Sequence, residues 1–337
     1  MAPRKRKTQV VKQVSGLSFQ RAREIVINIK AVEGKADNTI ENYHKLFNDF
    51  DRFFMHRKLI SNVTTEDARN FIKWQLEEKT QFLNARFRTN KKKGVTVTSA
   101  NSYLRLAKAA FETLVRDGSL ENNPFSPLTK IKQQTKQIEV LTIEQVKTIF
   151  KAFDKTWYAD FRDYVVCNVM LDTFGRIDEI CNLKKAHVDY LNGVVTFNET
   201  KNGRFRHVPI SRKVVRMIED LNLETEDFYS EYIFVSNHGT TLRPDAFRKH
   251  LKEVIGRTNI KTRVYPHLFR HTASTLFLAN GGSVRALQKI LGHAQIETTM
   301  IYSHMLDETI KTQHELFNPL KMINEKTTIK TKRKTYT

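Results

Sequence analysis

Residues 291–304 read Leu-Gly-His-Ala-Gln-Ile-Glu-Thr-Thr-Met-Ile-Tyr-Ser-His. Leu291 closes a helical run that begins at Ser283, and Gly292 supplies the left-handed residue that turns a chain sharply off a helix end. Tyr302 follows nine positions after His293. Alone, such a tyrosine reads as an ordinary core aromatic. Working upstream, a helix is expected from Pro266 to Ala279, stopped by Gly281-Gly282, and its first turn carries His267-Leu268-Phe269-Arg270-His271. Positions 267 and 270 share a face one turn apart. They set an imidazole beside a guanidinium, the group that clamps phosphate oxygens with two donors. On spacing alone a helix with this pair is most often simply solvated.

Two further stretches change that judgement. Residues 173–183 read Thr-Phe-Gly-Arg-Ile-Asp-Glu-Ile-Cys-Asn-Leu, and residues 201–209 read Lys-Asn-Gly-Arg-Phe-Arg-His-Val-Pro. In order and spacing the four segments resemble the tyrosine recombinases, the phage-integrase family. That family carries an arginine in a run like Thr-Gly-x-Arg-x-x-Glu-x-x-x-Leu, which Arg176, Glu179 and Leu183 fit. Gly175 stands one position late in that run, and Asp178 replaces a small residue. The family also carries a lysine on a β-hairpin followed by Arg-x-Val-Pro, matched by Lys201 and by Arg206 to Pro209. The motifs cover about residues 139–305, and the likeness extends more loosely over 17–128.

The resemblance implies a set of roles. Tyr302 is the nucleophile that forms a 3′-phosphotyrosyl link. Arg176 and Arg270 hold the non-bridging oxygens, and Lys201 protonates the 5′ leaving oxygen. His267 takes the tyrosine proton and His293 donates a hydrogen bond to the phosphate. The chemistry is coherent, because attack on a phosphodiester needs a nucleophile, charge stabilisation and protonation of the leaving group. Nothing in the set asks for a metal or another cofactor, and the energy of the broken bond is kept in the covalent intermediate. The implied partners are double-stranded DNA and three further copies, a homotetramer on two DNA sites that is a monomer or weak dimer in free solution, with directionality factors as additional partners.

The rest of the chain fits a mainly α protein with a small antiparallel β-sheet, an α+β chain of two domains. Residues 1–16 are a basic N-terminus expected to be flexible. Residues 17–128 form a helical core-binding domain, 129–140 a polar linker, 141–305 the catalytic domain, and 306–337 a C-terminal helix and basic tail. In the first domain a helix from Thr39 places Ile40, Tyr43, Leu46, Phe47, Phe50, Phe53 and Phe54 on one face. Another starts at Thr64 or Thr65, and a third near Ser99 ends at Gly118. In the second, Thr142 with Gln145 forms a capping box. Helices are expected over 142–153 and 160–183, then Asn192-Gly193 and Asn202-Gly203 turns in a meander with strands over 194–200 and 204–210. A helix from Pro244 to Ile255 follows. In the tail Leu306, Ile310, Leu316, Phe317 and Leu320 recur at helical spacing, and the apolar stripe of that helix packs either on the protein's own core or, as the resemblance suggests, on a neighbouring copy.

The 337 residues carry 57 Lys and Arg against 36 Asp and Glu, a net charge of +21, which calls for a polyanion. No apolar run is long enough to span a bilayer, no secretory signal follows the basic start, and two cysteines build no disulfide framework, so a cytoplasmic setting is expected. Lys91, Lys92 and Lys93 form a loop that is either DNA-facing or solvated, and Arg105, Lys108 and Arg116 lie on the polar side of their helix where they could meet phosphates. Trp74 and Trp157 are expected in the core, and Cys167 and Cys181 on one face of one helix. The alternative function is a DNA-binding repressor on the same fold, since residues 283–302 also scan as a helix-turn-helix. A type IB topoisomerase is a third reading.

Overall fold

The computed structural model describes residues 16–55, 58–81, 92–133, 139–199 and 204–302. Lys91, Lys201, the Asn202-Gly203 turn and the whole tail expected to be helical lie outside these residues. The chain divides into two compact units, Met1–Thr135 and Lys136–Thr337.

The described part of the first unit is helical: α1 (Phe19–Val32), α2 (Asp37–Phe54), α3 (Thr65–Glu77) and α4 (Val97–Arg116). Helix α2 buries Tyr43, Leu46, Phe47, Phe50 and Phe54, the three- and four-residue spacing of a core-facing stripe. Phe50 is the hub, with its ring centroid 4.7 Å from that of Phe71 and 5.9 Å from those of Phe111 and Phe125. The Thr64 hydroxyl accepts the Asp67 N–H at 3.2 Å while the Asp67 carboxylate accepts the Thr64 N–H at 2.8 Å, so α3 starts where its capping box sets it. Thr96 caps α4 by accepting the Ser99 N–H at 3.3 Å, which moves that helix start ahead of Ser99. Helix α1 has no counterpart in the sequence-based expectation, because its buried stripe of Phe19, Ala22, Val26 and Lys30 is thin. Trp74 packs half-buried against this core.

The second unit surrounds α6 (Tyr158–Thr173), which buries residues on every side from Asp160 to Met170 apart from Phe161. Helix α5 (Ile143–Lys151) precedes it, capped reciprocally by Thr142 and Gln145. The expected helix over 160–183 is two helices: α6 ends at Phe174, which has φ +55°, and α7 (Ile177–Cys181) begins after Arg176. The break is built locally. The Thr173 hydroxyl donates to the Val169 carbonyl at 2.6 Å and accepts the Gly175 N–H at 3.2 Å, and the Arg176 N–H donates to Glu179 at 2.7 Å to open the new helix. Cys167 and Cys181 are both buried, as apolar packing requires, but on different helices. Trp157, expected in the core, is 70% exposed, because it stands at the N-cap before the buried run.

Strands β1 (Val188–Asp189), β2 (Val194–Glu199) and β3 (Arg204–Pro209) form one antiparallel sheet in sequence order. Val195 pairs with Val208 and Phe197 with Arg206, which puts Val195, Phe197 and Val208 on the buried face. Strand β1 and helix α8 (Arg212–Glu224) are also absent from the expectation, although Ser211 caps α8 and Val214, Val215, Ile218 and Leu221 mark its buried stripe. Then come α9 (Pro244–Gly256), α10 (Pro266–Ala279), α11 (Val284–Leu291) and α12 (Glu297–Met300). Both helices that begin with proline carry it in the first turn, where its missing N–H costs nothing. Helix α12 is a single turn, too short for the recognition helix that a helix-turn-helix needs. No helix among the described residues is long and apolar enough to cross a membrane.

Candidate active site

Arg270 is the least exposed cation among the described residues of the second unit. It sits one turn into α10 and is 4% exposed. Its guanidinium donates to the Phe174 carbonyl, to the Leu291 carbonyl at 2.9 Å and to His293 Nε2 at 3.2 Å. All three acceptors are neutral, and among the described residues no carboxylate forms an ion pair with it. Burial, then the nearby charge of Arg176, lowers its pKa to about 10, still a cation at neutral pH. The αL residue at Phe174 is therefore functional in placement: the carbonyl exposed where α6 breaks is what receives Arg270.

Arg176 caps α7 and approaches the same centre. Its Nη1 donates to Glu179 Oε1 at 2.8 Å. Arg206 from β3 holds both oxygens of the same carboxylate, Oε1 at 2.9 Å and Oε2 at 2.6 Å. Arg206 is itself 7% exposed and lies 4.6 Å over the Phe197 ring. Burial opposes ionisation of Glu179, but Arg206 and then Arg176 outweigh it and bring the pKa down to about 2. Three guanidiniums around one carboxylate leave the centre strongly positive.

Three imidazoles and a phenol complete it. His293 follows the left-handed Gly292, which has φ +69°. Since Arg270 can only donate, His293 Nε2 accepts, and its Nδ1–H then donates to Thr299 Oγ1 at 3.0 Å. Burial and the three arginines lower the His293 pKa to about 4, so it is neutral. His267 stands exposed at the start of α10, its pKa lowered by desolvation and by Arg270 and Arg176. Tyr302 is 2% exposed, packed with Phe174, Leu278, Leu287 and Leu291. Its hydroxyl lies 2.8 Å from His271 Nδ1. Burial raises the pKa of this phenol, against the effects of Ser274 and Arg270.

The structure thus gathers Arg176, Arg270, His267, His293 and Tyr302 in one unit. In two details it departs from the expectation. The imidazole against the Tyr302 hydroxyl belongs to His271, not His267, because one further turn of α10 is needed to reach the segment after α12. His293 presents its Nε2 to Arg270. Of the lysines and arginines expected to face DNA, Lys92, Lys93 and Arg105 are exposed on the first unit, whereas Lys108 donates to the Ser126 carbonyl at 3.0 Å. Sequence reasoning missed Arg206 and His271 as members of the centre. Each lay inside a quoted motif, but its partner is 27 or 31 residues away, and no spacing rule couples them.

A dense cationic centre with a tyrosine at its edge defines a class: phosphoryl-transfer enzymes that work through a tyrosine. Residues 139–309 match the sequence model of the phage integrase family, and the chain belongs to that family, the tyrosine recombinases. Tyrosine recombinase XerA of Pyrococcus furiosus is 30% identical over 297 residues, 86% of this chain and 91% of that protein. Tyrosine recombinase XerD of Listeria innocua serovar 6a is 27% identical over 237 residues, 68% of this chain and 79% of that protein. Among solved structures, the Tn1549 transposon integrase in complex with a circular intermediate DNA has the same fold, with a TM-score of 0.66 at 18% identity over 83% of this chain and 94% of that one. A lambda integrase tetramer bound to a Holliday junction gives 0.64 at 15% identity, over 88% of this chain and 83% of that one. The chain is an enzyme of this family, and the repressor reading finds no support among these relatives.

Proposed function

We propose that the chain is a site-specific recombinase that cuts and rejoins duplex DNA through a 3′-phosphotyrosyl link to Tyr302. Arg270 carries this reading. A guanidinium 4% exposed and, among the described residues, bonded to neutral acceptors alone is a charge held for an anion, and a phosphodiester supplies one. Arg176, aligned by Glu179, holds a second non-bridging oxygen, and His267 and His293 add hydrogen bonds around it. The Tyr302 oxygen forms a bond to phosphorus as the bond from phosphorus to the 5′ oxygen breaks. That oxygen takes a proton from Lys201, a role that rests on the family motif, and the phenol gives its own proton to an imidazole. Since Tyr302 is buried against Leu287 and Leu291, attack on DNA waits on a movement of the segment that carries it.

In this reading residues 17–128 are the core-binding domain, 141–305 the catalytic domain and 306–337 a segment that docks on a neighbouring copy. Four copies on two DNA sites exchange strands in pairs, with directionality factors as further partners. The test is covalent capture. A nicked duplex selected from a random-sequence library by the wild-type protein forms an adduct that survives denaturation. Tyr302→Phe forms none yet binds the same duplex, because only the phenolic oxygen is lost. A wild type that binds tightly and captures nothing excludes the reading.

A further inference from the structure

The two arginines on Glu179 are held unequally. Arg206 spans the carboxylate, with Nη1 on Oε1 at 2.9 Å and Nη2 on Oε2 at 2.6 Å. The Arg176 side chain reaches Oε1 through Nη1 at 2.8 Å, while its backbone N–H takes Oε2 at 2.7 Å. No other described hydrogen bond engages the Arg176 guanidinium among the described residues, and that side chain is 38% exposed. Arg206 is 7% exposed, opposite Phe197 in the strand pair and 4.6 Å over its ring, on the buried side of the sheet. One guanidinium is built into the fold and the other is half-open. Burial opposes ionisation of Glu179, and Arg206, ahead of Arg176, overcomes it.

This asymmetry matters for the half-open arginine. A carboxylate whose side chain is 15% exposed needs a counter-charge. With Arg206 gone, Arg176 would be the one cation in bonding distance of Glu179 among the described residues. The match between a guanidinium fork and a carboxylate would then draw a second Arg176 donor onto Glu179. The pair would be neutral, and its arginine would be turned from the phosphate. With Arg206 in place, two guanidiniums share one carboxylate, and a net positive charge remains on the open side. We propose that Arg206 is a positioning residue for strand cleavage: by occupying both oxygens of Glu179 it keeps Arg176 from being captured by that carboxylate and holds it for the scissile phosphate. The inference rests on the recombinase reading above. Arg206 acts through Glu179 and Arg176 and touches no reacting atom.

The test uses the full-length protein and the nicked duplex that the wild type captures. Arg206→Gln should slow adduct formation by roughly a hundredfold, the scale of a misplaced catalytic group. Its affinity for the duplex should stay near that of the wild type, since Arg206 is buried. A general loss of structure would give a slow enzyme too, so the decisive substrates carry a methylphosphonate at the scissile position. Each of the two isomers lacks one charged non-bridging oxygen. Arg176→Ala should lose less on the isomer that lacks the oxygen Arg176 holds, and Arg206→Gln should show the same preference. Equal losses on both isomers, or the opposite preference, overturn the proposal. So does an Arg176→Ala enzyme with no preference, because Arg176 then holds no single oxygen. Glu179→Gln added to Arg206→Gln removes the carboxylate that captures Arg176, and the double variant should cleave faster than Arg206→Gln alone. A double variant that is no faster counts against capture and overturns the proposal. Should Arg206→Gln fail to fold, Arg206→Lys, which keeps the charge without the fork, carries the same isomer test. A wild type that forms no adduct overturns the recombinase reading and this inference with it, whereas an active wild type with an unimpaired Arg206→Gln overturns this inference alone.

Discussion

Glu179 shows how one residue can set the electrostatics of the whole centre. Its carboxylate lies between Arg176 and Arg206, so it ties the arginine at the start of α7 to the one on the β-sheet. Its folded pKa of about 2 lies below the 4.5 of a free glutamate. A depressed carboxylate contributes stability that is present above the unfolded pKa and lost as pH falls through the folded one, here between about 4.5 and 2. A shift of that size corresponds to about 3 kcal/mol. Glu179→Gln should therefore be less stable at pH 7 and lose less on acidification, which urea melts at pH 7, 4 and 3 will read. Equal acid sensitivity in both proteins would mean that the ion cluster does not hold Glu179 ionised. At this scale the motif letters exposed Arg176, Arg270, His293 and Tyr302 in the sequence. Arg206 and His271 were not legible as members of the centre, because each meets it through a side chain brought in from another element.

Secondary-structure elements were legible wherever a local device sets their ends. Thr64 with Asp67, Thr142 with Gln145, and Gly292 mark boundaries that the structure keeps. The break between α6 and α7 was not, because the Phe174 carbonyl that it exposes is satisfied by Arg270, 96 positions away. A second link of this kind joins α6 to α9. His250 approaches Asp163 at 2.7 Å through Nδ1 and Asp160 at 3.0 Å through Nε2, and Arg162 and Arg257 bind the same two carboxylates. Both ring nitrogens face carboxylates, so both carry protons. The bond to Asp163 raises the His250 pKa, burial opposes it, and the two aspartate charges add to the rise. A histidine whose pKa is raised contributes stability that is fully present below the unfolded value of about 6.5 and is lost as pH rises through the folded value. His271 and His293, with lowered pKa values, act in the opposite sense, so the wild-type profile alone is ambiguous. The difference between wild type and His250→Gln isolates the link. The melting temperatures of the two should lie furthest apart near pH 6 and converge at alkaline pH, and a gap that does not vary with pH would exclude a charged His250.

At the scale of the molecule the net charge of +21 is unevenly spread. Residues 219–231 hold Glu219, Asp220, Glu224, Glu226, Asp227 and Glu231, all exposed, with no lysine or arginine among them. The polyanion must therefore meet other surfaces, where excess cations release condensed counterions from the duplex as they bind. Each phosphate neutralised contributes about −0.9 to the slope of log K against log salt. With about six contacts, affinity should fall on the order of a thousandfold between 50 and 200 mM salt. The composition revealed that much, but not which cations take part, because charge counting cannot separate a free side chain from one engaged inside the fold. Arg105 and Lys108 are the instructive pair. Both were expected on the polar side of α4, yet Arg105 is exposed whereas Lys108 is bonded to the Ser126 carbonyl. Titrations across a salt series should show the slope of Arg105→Ala reduced by about 1 and that of Lys108→Ala unchanged. Equal losses would mean that Lys108 leaves Ser126 to reach DNA, and a slope near zero for the wild type would remove phosphate contacts as the source of binding.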